Sequence, residues 1–145
     1  MTATDRNHLV AYCGIDCGNC ALYLSRYDEA TMTRLLARGI PAEKLPCPGC
    51  RDVKGNCPVI GETCATYLCA VEKGVSYCFE CAEFPCAKLN PAADRAEILP
   101  HNLKVFNLCA IQRLGVDGFV AQSAEIEKNY FKGKMVIGRG PQLRD

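Results

Sequence analysis

Three short stretches decide what kind of domain this chain forms: Cys13-Gly-Ile-Asp-Cys17-Gly-Asn-Cys20, Cys47-Pro-Gly-Cys50 and Cys78-Phe-Glu-Cys81. Each contains two cysteines separated by two residues. Such a turn directs two thiolates and several backbone N–H groups toward one point, so two turns together can complete a tetrahedral four-sulfur site. One pair alone would be weak support for a metal site. Three pairs with further cysteines between them indicate bound metal.

The length and composition indicate one domain with a modest core. The chain has 145 residues, and 12 of them are cysteines, eleven of which lie between Cys13 and Cys86. It has no Trp, 5 Phe and 6 Tyr, so we expect metal to contribute to the stability of the fold. We predict a single domain over residues 1–145, with a cysteine-rich metal-binding part at 11–90 and a helical part at 91–145.

The candidate metal ligands are the eleven cysteines of the first part. They are Cys13, Cys17, Cys20, Cys47, Cys50, Cys57, Cys64, Cys69, Cys78, Cys81 and Cys86. The gaps between the paired cysteines exceed the ~15–20 residues of the common zinc-ribbon spacing, so the sequence leaves open which pair meets which. We expect Cys109, on the apolar side of a predicted helix, to be a small buried hydrophobic residue.

The metal is zinc in our favoured interpretation, and a [4Fe–4S] cluster in the alternative. Zinc suits closed four-thiolate sites in small domains, and Cys47-Pro-Gly-Cys50 resembles a zinc knuckle. Iron–sulfur clusters use the same thiolates, and Cys57-Pro58 shows the Cys-Pro step of bacterial ferredoxins. The alternative function is therefore an iron–sulfur protein with a redox or electron-transfer role.

The cellular compartment bears on what the cysteines do. The first eight residues contain no apolar run, and no segment approaches the ~18 apolar residues of a membrane span, so we expect a cytoplasmic protein with no membrane partner. In a reducing cytosol, cysteines are more often metal-binding or catalytic than disulfide-bonded.

Catalysis by cysteine has little support in the sequence. No βαβ pattern surrounds the cysteine pairs, and the chain has only His8 and His101 as candidate imidazole bases. We expect both histidines at the surface, with a ligand role for His8 as the less favoured alternative. The sequence therefore favours a binding or adaptor module over an enzyme, with a protein partner that it does not identify.

The charge of the chain argues against nucleic acid as that partner. The formal net charge is +1, and eight thiolates around two Zn(II) ions would lower it to about −3. A phosphate-binding surface needs clustered Lys and Arg. Basic and aromatic residues alternate in only one stretch of the sequence, which contains Lys128, Tyr130, Phe131, Lys132, Lys134 and Arg139. A solvated helix end explains these residues as well as a nucleic-acid-binding surface does, and Glu125 and Glu127 dilute the positive charge.

The first half of the chain is predicted to combine short helices with an irregular loop. Apolar spacing predicts a short helix in residues 21–27, and Asp28 is placed to cap a second helix that ends before Gly39. Residues 46–62 contain several Pro and Gly among three cysteines, which favours an irregular ligand-bearing loop. Thr63 is predicted to cap a further helix that Gly74 ends.

The second half is predicted to be an antiparallel helical pair. Helical periodicity ends at Gly115 and, in the next segment, at Gly133, and residues 134–137 are predicted to be extended. The fold class is therefore mainly α: a small cysteine-rich, metal-stabilised domain with irregular ligand loops and a C-terminal helical pair.

Four segments together resemble a known family. They are Tyr12-Cys-Gly-Ile-Asp-Cys-Gly-Asn-Cys20, Cys47-Pro-Gly-Cys50, Cys64-x4-Cys69-Ala-Val-Glu-Lys-Gly-Val75 and Cys78-Phe-Glu-Cys81-Ala-Glu-Phe-Pro-Cys86. The pattern is similar to that of the domain-of-unknown-function 3795 family of small bacterial and archaeal proteins, over about residues 11 to 90. The resemblance implies that the candidate cysteines matter, although Cys57 fits less firmly and Cys109 lies outside the pattern. It implies no activity.

Overall fold

A computed structural model describes residues 1–91 and 93–143, and about 54% of these residues are helical. The α-helices are α1 (Ala3–His8), α2 (Ala21–Leu24), α3 (Glu29–Ala37), α4 (Ala65–Lys73) and α5 (Lys104–Lys132). Single 3-10 turns occur at Cys17–Asn19, Ala42–Lys44, Cys78–Glu80, Ala87–Leu89, Ala93–Arg95 and Pro100–Leu103. Strands β1 (Gly133–Val136) and β2 (Gly140–Leu143) pair as an antiparallel hairpin. The mainly α prediction is confirmed.

Helix α3 begins where the sequence predicts. The Asp28 carboxylate accepts hydrogen bonds from the backbone N–H groups of Ala30 and Thr31, which satisfies two of the donors that a helix start leaves free. Gly39 follows the helix with a φ of +87°. The predicted cap and stop of this helix are therefore both present.

Helix α4 begins one residue later than its predicted cap implies. Its N-cap is Cys64, whereas the hydroxyl of Thr63 donates to the side chain of Asn56 at 3.0 Å. Thr63 is thus occupied by a loop contact and is not available to the helix. The predicted end is correct, because Gly74 closes the helix in the left-handed region with a φ of +67°.

Helix α5 contains both predicted helical segments, joined at a single broken residue. Gly115 has a φ of +73° and a ψ of 166°, values that no helix accommodates. Ala110 and Ile111 before the break pack with Phe119 after it and with Val10, forming the main apolar core. The helical part therefore packs on the start of the cysteine-rich part, as expected.

The prediction of a buried Cys109 is wrong, because this residue is exposed. The buried side of α5 passes through Leu108, Ala110 and Ile111. Cys109 therefore points away from the core.

Residues 46–62 form turns and bends with no helix or strand, as predicted, and all of them are described. Two features were not predicted: α1, which is capped by Thr2, and the pairing of the extended tail with β2. Within the described residues, no helix is long and apolar enough to cross a membrane.

Candidate metal centre

Four cysteines line one small cavity beside α4, and we call them the C-terminal four-thiol group. They are Cys69, Cys78, Cys81 and Cys86. Cys69 belongs to α4, Cys78 opens a 3-10 turn, Cys81 follows that turn, and Cys86 follows a cis-proline and caps the next turn. The cavity has a volume of about 60 Å³. A single water molecule needs only ~10–15 Å³, so the thiols enclose room for more than one small atom.

Polar groups at the edge of this cavity contact the Cys81 sulfur. The ammonium nitrogen of Lys73 lies 3.3 Å from the Cys81 sulfur and also pairs with the Glu83 carboxylate. The backbone N–H of Glu83 donates to the same sulfur at 3.4 Å. Such charge-assisted and backbone hydrogen bonds are typical of the surroundings that orient metal-binding thiolates.

Burial and the neighbouring thiols disfavour the ionised form of Cys78. Burial, followed by the proximity of other thiols that include Cys13 and Cys86, raises the pKa of Cys78 to about 12. A group of close, partly buried thiols remains protonated unless a positive charge is placed among them. A metal ion or cluster at this point would supply that charge.

A second set of thiols lies close together, and we call it the N-terminal four-thiol group. It consists of Cys13, Cys17, Cys50 and Cys64, and the Cys57 thiol also lies close to Cys13, Cys50 and Cys64. The backbone N–H of Cys50 donates to the Cys17 sulfur at 3.5 Å. The Tyr12 ring packs against the Arg51 guanidinium, 4.0 Å from its centroid, and against the Tyr67 ring at 5.5 Å. These ring contacts hold three chain segments together beside the thiols.

Burial also dominates the thiol pKa values in this second group. It raises the pKa of Cys50 to about 12, and the proximity of the Cys13, Cys64 and Cys57 thiols adds to the effect. The pKa of Cys17 is raised for the same reason, despite the hydrogen bond from the Cys50 backbone. A cation would be needed here too for these thiols to be ionised.

The remaining three candidate ligands form the three-thiol group, which consists of Cys20, Cys47 and Cys57. They pack in one apolar cluster with Leu22 and Leu35. Cys47 is only 7% exposed, and burial raises the pKa of Cys20 to about 11. The Cys17/Cys20 and Cys47/Cys50 turns therefore each contribute one thiol to this group and one to the N-terminal four-thiol group. The sequence could not reveal this interleaving.

The structure groups the predicted ligands without showing a metal site. Among residues 1–91 and 93–143, no three His, Cys, Asp or Glu side chains are arranged so as to hold a metal ion. All twelve cysteines are free thiols. The metal-binding role of the eleven cysteines therefore remains a prediction.

A buried carboxylate that sequence reasoning missed holds the Cys17–Asn19 turn. Asp16 accepts hydrogen bonds from both terminal nitrogens of Arg6, at 2.7 and 2.6 Å, and from the Gly18 backbone at 2.9 Å. The hydroxyl of Ser123 on α5 donates to it at 2.5 Å. An aspartate directly before a Cys-x2-Cys turn, placed to cap it, was the available signal.

The first segment of α5 supports the turn between Cys13 and Cys17, which comes just before the Cys17–Asn19 turn. The buried Asn107 amide donates to the Gly14 carbonyl at 2.9 Å. Gly14 has a φ of +87°, and a Cβ there would lie 3.0 Å from the Leu108 side chain. This close approach requires glycine between Cys13 and Cys17.

The two histidines occupy different surroundings. His8 is exposed, and its Nε2 lies 2.8 Å from the Asp52 carboxylate. His101 is half-buried, its Nδ1 has no hydrogen-bond partner within the described chain, and burial lowers its pKa. The expectation of a surface position is confirmed for His8, whereas His101 is less exposed than expected.

These features define a class: small, mainly helical, cysteine-rich proteins whose irregular loops bring thiols together in groups. The sequence model of a family described as "Protein of unknown function (DUF3795)" matches residues 9–91. The chain therefore belongs to this domain-of-unknown-function family, as the resemblance over residues 11–90 implied. No curated protein and no solved structure matches the chain.

Proposed function

We propose that the protein binds metal through thiolates, and that the C-terminal four-thiol group is its best-defined site. One observation carries the proposal: four cysteines from α4 and the two 3-10 turns that follow it line a single cavity, with the Lys73 ammonium beside Cys81. Free thiols that serve only packing are normally buried among apolar atoms, whereas three of these four are half-buried and Cys86 is exposed. A shared cavity with a cation at its edge is better explained by bound metal.

Zinc is the metal that we expect there. Four thiolates are the donor set of closed structural zinc sites, and such sites contribute directly to folding. The thin core supports this role, because the fully buried large side chains of the described chain are Phe119, Leu108 and Val10. With zinc bound, the protein acts as a metal-stabilised binding or adaptor module.

An iron–sulfur protein is the second candidate, and the size of the cavity favours it. The four thiols line about 60 Å³ of space and do not converge on one point. A [4Fe–4S] cluster is held by four cysteines spaced around a cluster larger than an ion. With such a cluster the protein would take a redox or electron-transfer role.

Anaerobic purification followed by metal and sulfide analysis tests the proposal and separates its two forms. Zinc in a colourless protein supports the first form. Stoichiometric iron and sulfide, with broad visible absorption, supports the second. A folded protein that contains neither metal and binds neither on reconstitution overturns the proposal.

The site is tested by comparing two cysteine variants. Cys78→Ser removes one thiol of the cavity and should lose the metal of one centre, whereas Cys109→Ser alters an exposed thiol on α5 and should keep the full complement. Elemental analysis per chain provides the measurement. Equal metal content in the two variants would show that this cavity is not a metal site.

A further inference from the structure

We propose that Arg51 is a positioning residue that couples the cavity beside α4 to the N-terminal four-thiol group, so that metal bound in the cavity lowers the reactivity of Cys13 and Cys50. The inference rests on the proposed function, because it assumes that the cavity binds metal. It adds a route by which the occupancy of one thiol group affects the other, and it requires no second metal ion.

The first support is the set of hydrogen bonds that Arg51 donates. Arg51 directly follows Cys50 in the chain. Its Nε donates to the Val10 carbonyl at 2.9 Å, and one of its terminal nitrogens donates to the Ser76 carbonyl at 2.7 Å. The donors of a guanidinium point in fixed directions, so these two bonds set the separation of the two carbonyls. One side chain therefore links the start of the chain to the segment that leads into Cys78.

The second support is a pair of tyrosine rings against the same guanidinium. The central carbon of the Arg51 guanidinium lies 4.0 Å from the centroid of the Tyr12 ring and 5.1 Å from that of the Tyr77 ring. Tyr12 directly precedes Cys13, and Tyr77 directly precedes Cys78. Arg51 thus contacts the residue before one thiol of each four-thiol group.

The third support is a direct bond between the same two segments. The backbone N–H of Cys78 donates to the Tyr12 carbonyl at 2.8 Å. Cys78 lines the cavity, whereas Tyr12 leads into the N-terminal four-thiol group. Any displacement of the Cys78 segment therefore strains this bond. It also withdraws the Ser76 carbonyl and the Tyr77 ring from Arg51.

A metal in the cavity would fix the Cys78 segment. Cys78–Glu80 is a single 3-10 turn, and Cys81 follows it. Cys78 and Cys81 both line the cavity, so a metal bound to their sulfurs holds the turn at both ends. The contacts of Arg51 then keep the N-terminal four-thiol group in place. The thiols of that group are half-buried, so local opening of these segments increases their access to reagents when the cavity is empty.

The chain offers a matched control for Arg51. The Arg26 guanidinium lies 3.9 Å from the centroid of the Tyr23 ring and donates to the Cys47 carbonyl at 2.9 Å. Arg26 therefore has the same kinds of contact as Arg51, but these contacts join α2 to the Cys47–Cys50 turn. Lysine keeps the charge and loses the planar fork in both cases. A general loss of packing around a thiol loop would appear in both variants.

The test measures how fast iodoacetamide modifies individual thiols in the reduced, full-length protein under anaerobic conditions, with and without one equivalent of zinc. Peptide mass spectrometry identifies the modified cysteines. Zinc should slow the modification of Cys13 and Cys50 by about tenfold in the unmodified protein, a factor typical of coupled sites. Zinc should still bind to Arg51→Lys, as chelator competition measures, but the slowing should fall to about twofold or less. Arg26→Lys should keep the full slowing.

A further variant separates coupling from direct binding of zinc by the N-terminal thiols. Cys69→Ser combined with Cys86→Ser leaves two of the four cavity thiols and keeps the N-terminal four-thiol group intact. The effect of zinc on Cys13 and Cys50 should disappear in this variant. Slowing that persists there overturns the inference, because zinc would then protect these thiols without the cavity.

The remaining outcomes are equally decisive. Zinc that binds to the unmodified protein without slowing the modification overturns the inference and leaves the proposed function standing. Equal slowing in Arg51→Lys and the unmodified protein, or an equal loss of slowing in Arg51→Lys and Arg26→Lys, also overturns it. A protein that binds no metal overturns the proposed function itself. If Arg51→Lys does not fold, Tyr77→Leu removes one ring from the guanidinium and should reduce the slowing in the same way.

Discussion

The guanidinium of Arg6 donates to both carboxylate oxygens of Asp16, at 2.7 and 2.6 Å, directly before the Cys17–Asn19 turn. The Asp16 side chain is 2% exposed and that of Arg6 is 24% exposed. A Cβ at Gly18 would lie 2.7 Å from the guanidinium carbon. The ion pair therefore packs against the turn that carries Cys17 and helps to hold it in place.

Replacing Asp16 by alanine should destabilise the fold by about 3 kcal/mol or more, because the change leaves the Arg6 charge and several other donors without their acceptor. Urea unfolding of the metal-loaded protein under reducing conditions measures the effect. The matched control is Asp52→Ala, which removes an exposed carboxylate paired with His8 and should cost less than about 1 kcal/mol. Similar losses in the two variants would show that the buried pair does not hold the loop.

Removing metal should unfold the cysteine-rich part of the chain. Residues 46–62 contain no helix or strand, and ordering a residue costs roughly 1–2 kcal/mol of conformational entropy. Circular dichroism before and after a strong chelator, under reducing conditions, should show loss of helical signal and a lower melting temperature. An unchanged signal and unchanged melting, with metal loss verified, would contradict metal-dependent folding.

Cys109→Ala should leave both the metal content and the stability unchanged, within about 0.5 kcal/mol, because this thiol is exposed on α5. Leu108→Ala provides a contrast on the buried side of the same helix and should cost about 2–5 kcal/mol. Thermal unfolding of the two variants provides the comparison. A large loss in Cys109→Ala would indicate that the thiol has a role that its exposure does not suggest.

Local signals in the sequence predicted the helices well. Asp28 caps α3, Gly74 closes α4 and Gly115 interrupts α5, since each of these effects depends on a residue and its immediate neighbours. The same reasoning misplaced the cap of α4, because the Thr63 hydroxyl contacts Asn56, seven residues earlier. The spacing of apolar residues in the sequence gives no sign of such a contact.

The grouping of the cysteines could not be predicted, because it depends on contacts between distant segments. Of the three Cys-x2-Cys pairs, only Cys78 and Cys81 line one cavity together. The spacing did not show that Cys17 faces the turn of Cys50 while Cys20 packs with Cys47. The position of Asp16 indicated a capping role, but its burial could not be predicted, because its partner Ser123 lies 107 residues away. Long-range pairing of this kind is set by the packing of α5 on the loop.

Glu127 should make the stability depend on pH between about 4.5 and 7. Burial, followed by the nearby negative charge of Asp16, raises the pKa of Glu127 from 4.5 to about 7, although a hydrogen bond from Asn19 acts against this. Since the folded state holds the proton more tightly, the contribution of Glu127 to stability is fully present below pH 4.5 and is lost as the pH rises through 7.

Glu127→Gln should therefore reduce the fall in stability between pH 5 and pH 8, by about 1 kcal/mol at most after solvent screening. Urea unfolding across this range compares the variant with the unmodified protein, so the titration of the thiols affects both in the same way. Glu125→Gln is the control, because that carboxylate is exposed and lies 4.0 Å from Lys128. Equal pH profiles for Glu127→Gln and the unmodified protein would show that this carboxyl does not titrate as described.

The protein should not bind nucleic acid with useful affinity at physiological salt. The formal charge of +1 falls further when thiolate metal sites form, and binding requires several phosphates to be neutralised together. The aromatic side chains near the basic residues are already engaged: the Tyr130 hydroxyl donates to the Ala96 carbonyl at 3.0 Å, and its ring packs edge-on against Phe131 at 4.8 Å. They are therefore poorly placed to stack on bases.

Fluorescence anisotropy with single-stranded and duplex oligonucleotides, across a salt series, measures this directly. We expect no saturable binding at micromolar protein and ~150 mM salt. The test variant carries Lys132→Gln and Lys134→Gln, and the control carries Lys44→Gln, which lies in an exposed turn far away in the sequence. Micromolar or tighter binding that weakens in the test variant and not in the control would replace the adaptor interpretation with a nucleic-acid-binding one. Binding that weakens equally in both variants would reflect only the overall charge, because loss of any surface lysine would then have the same effect.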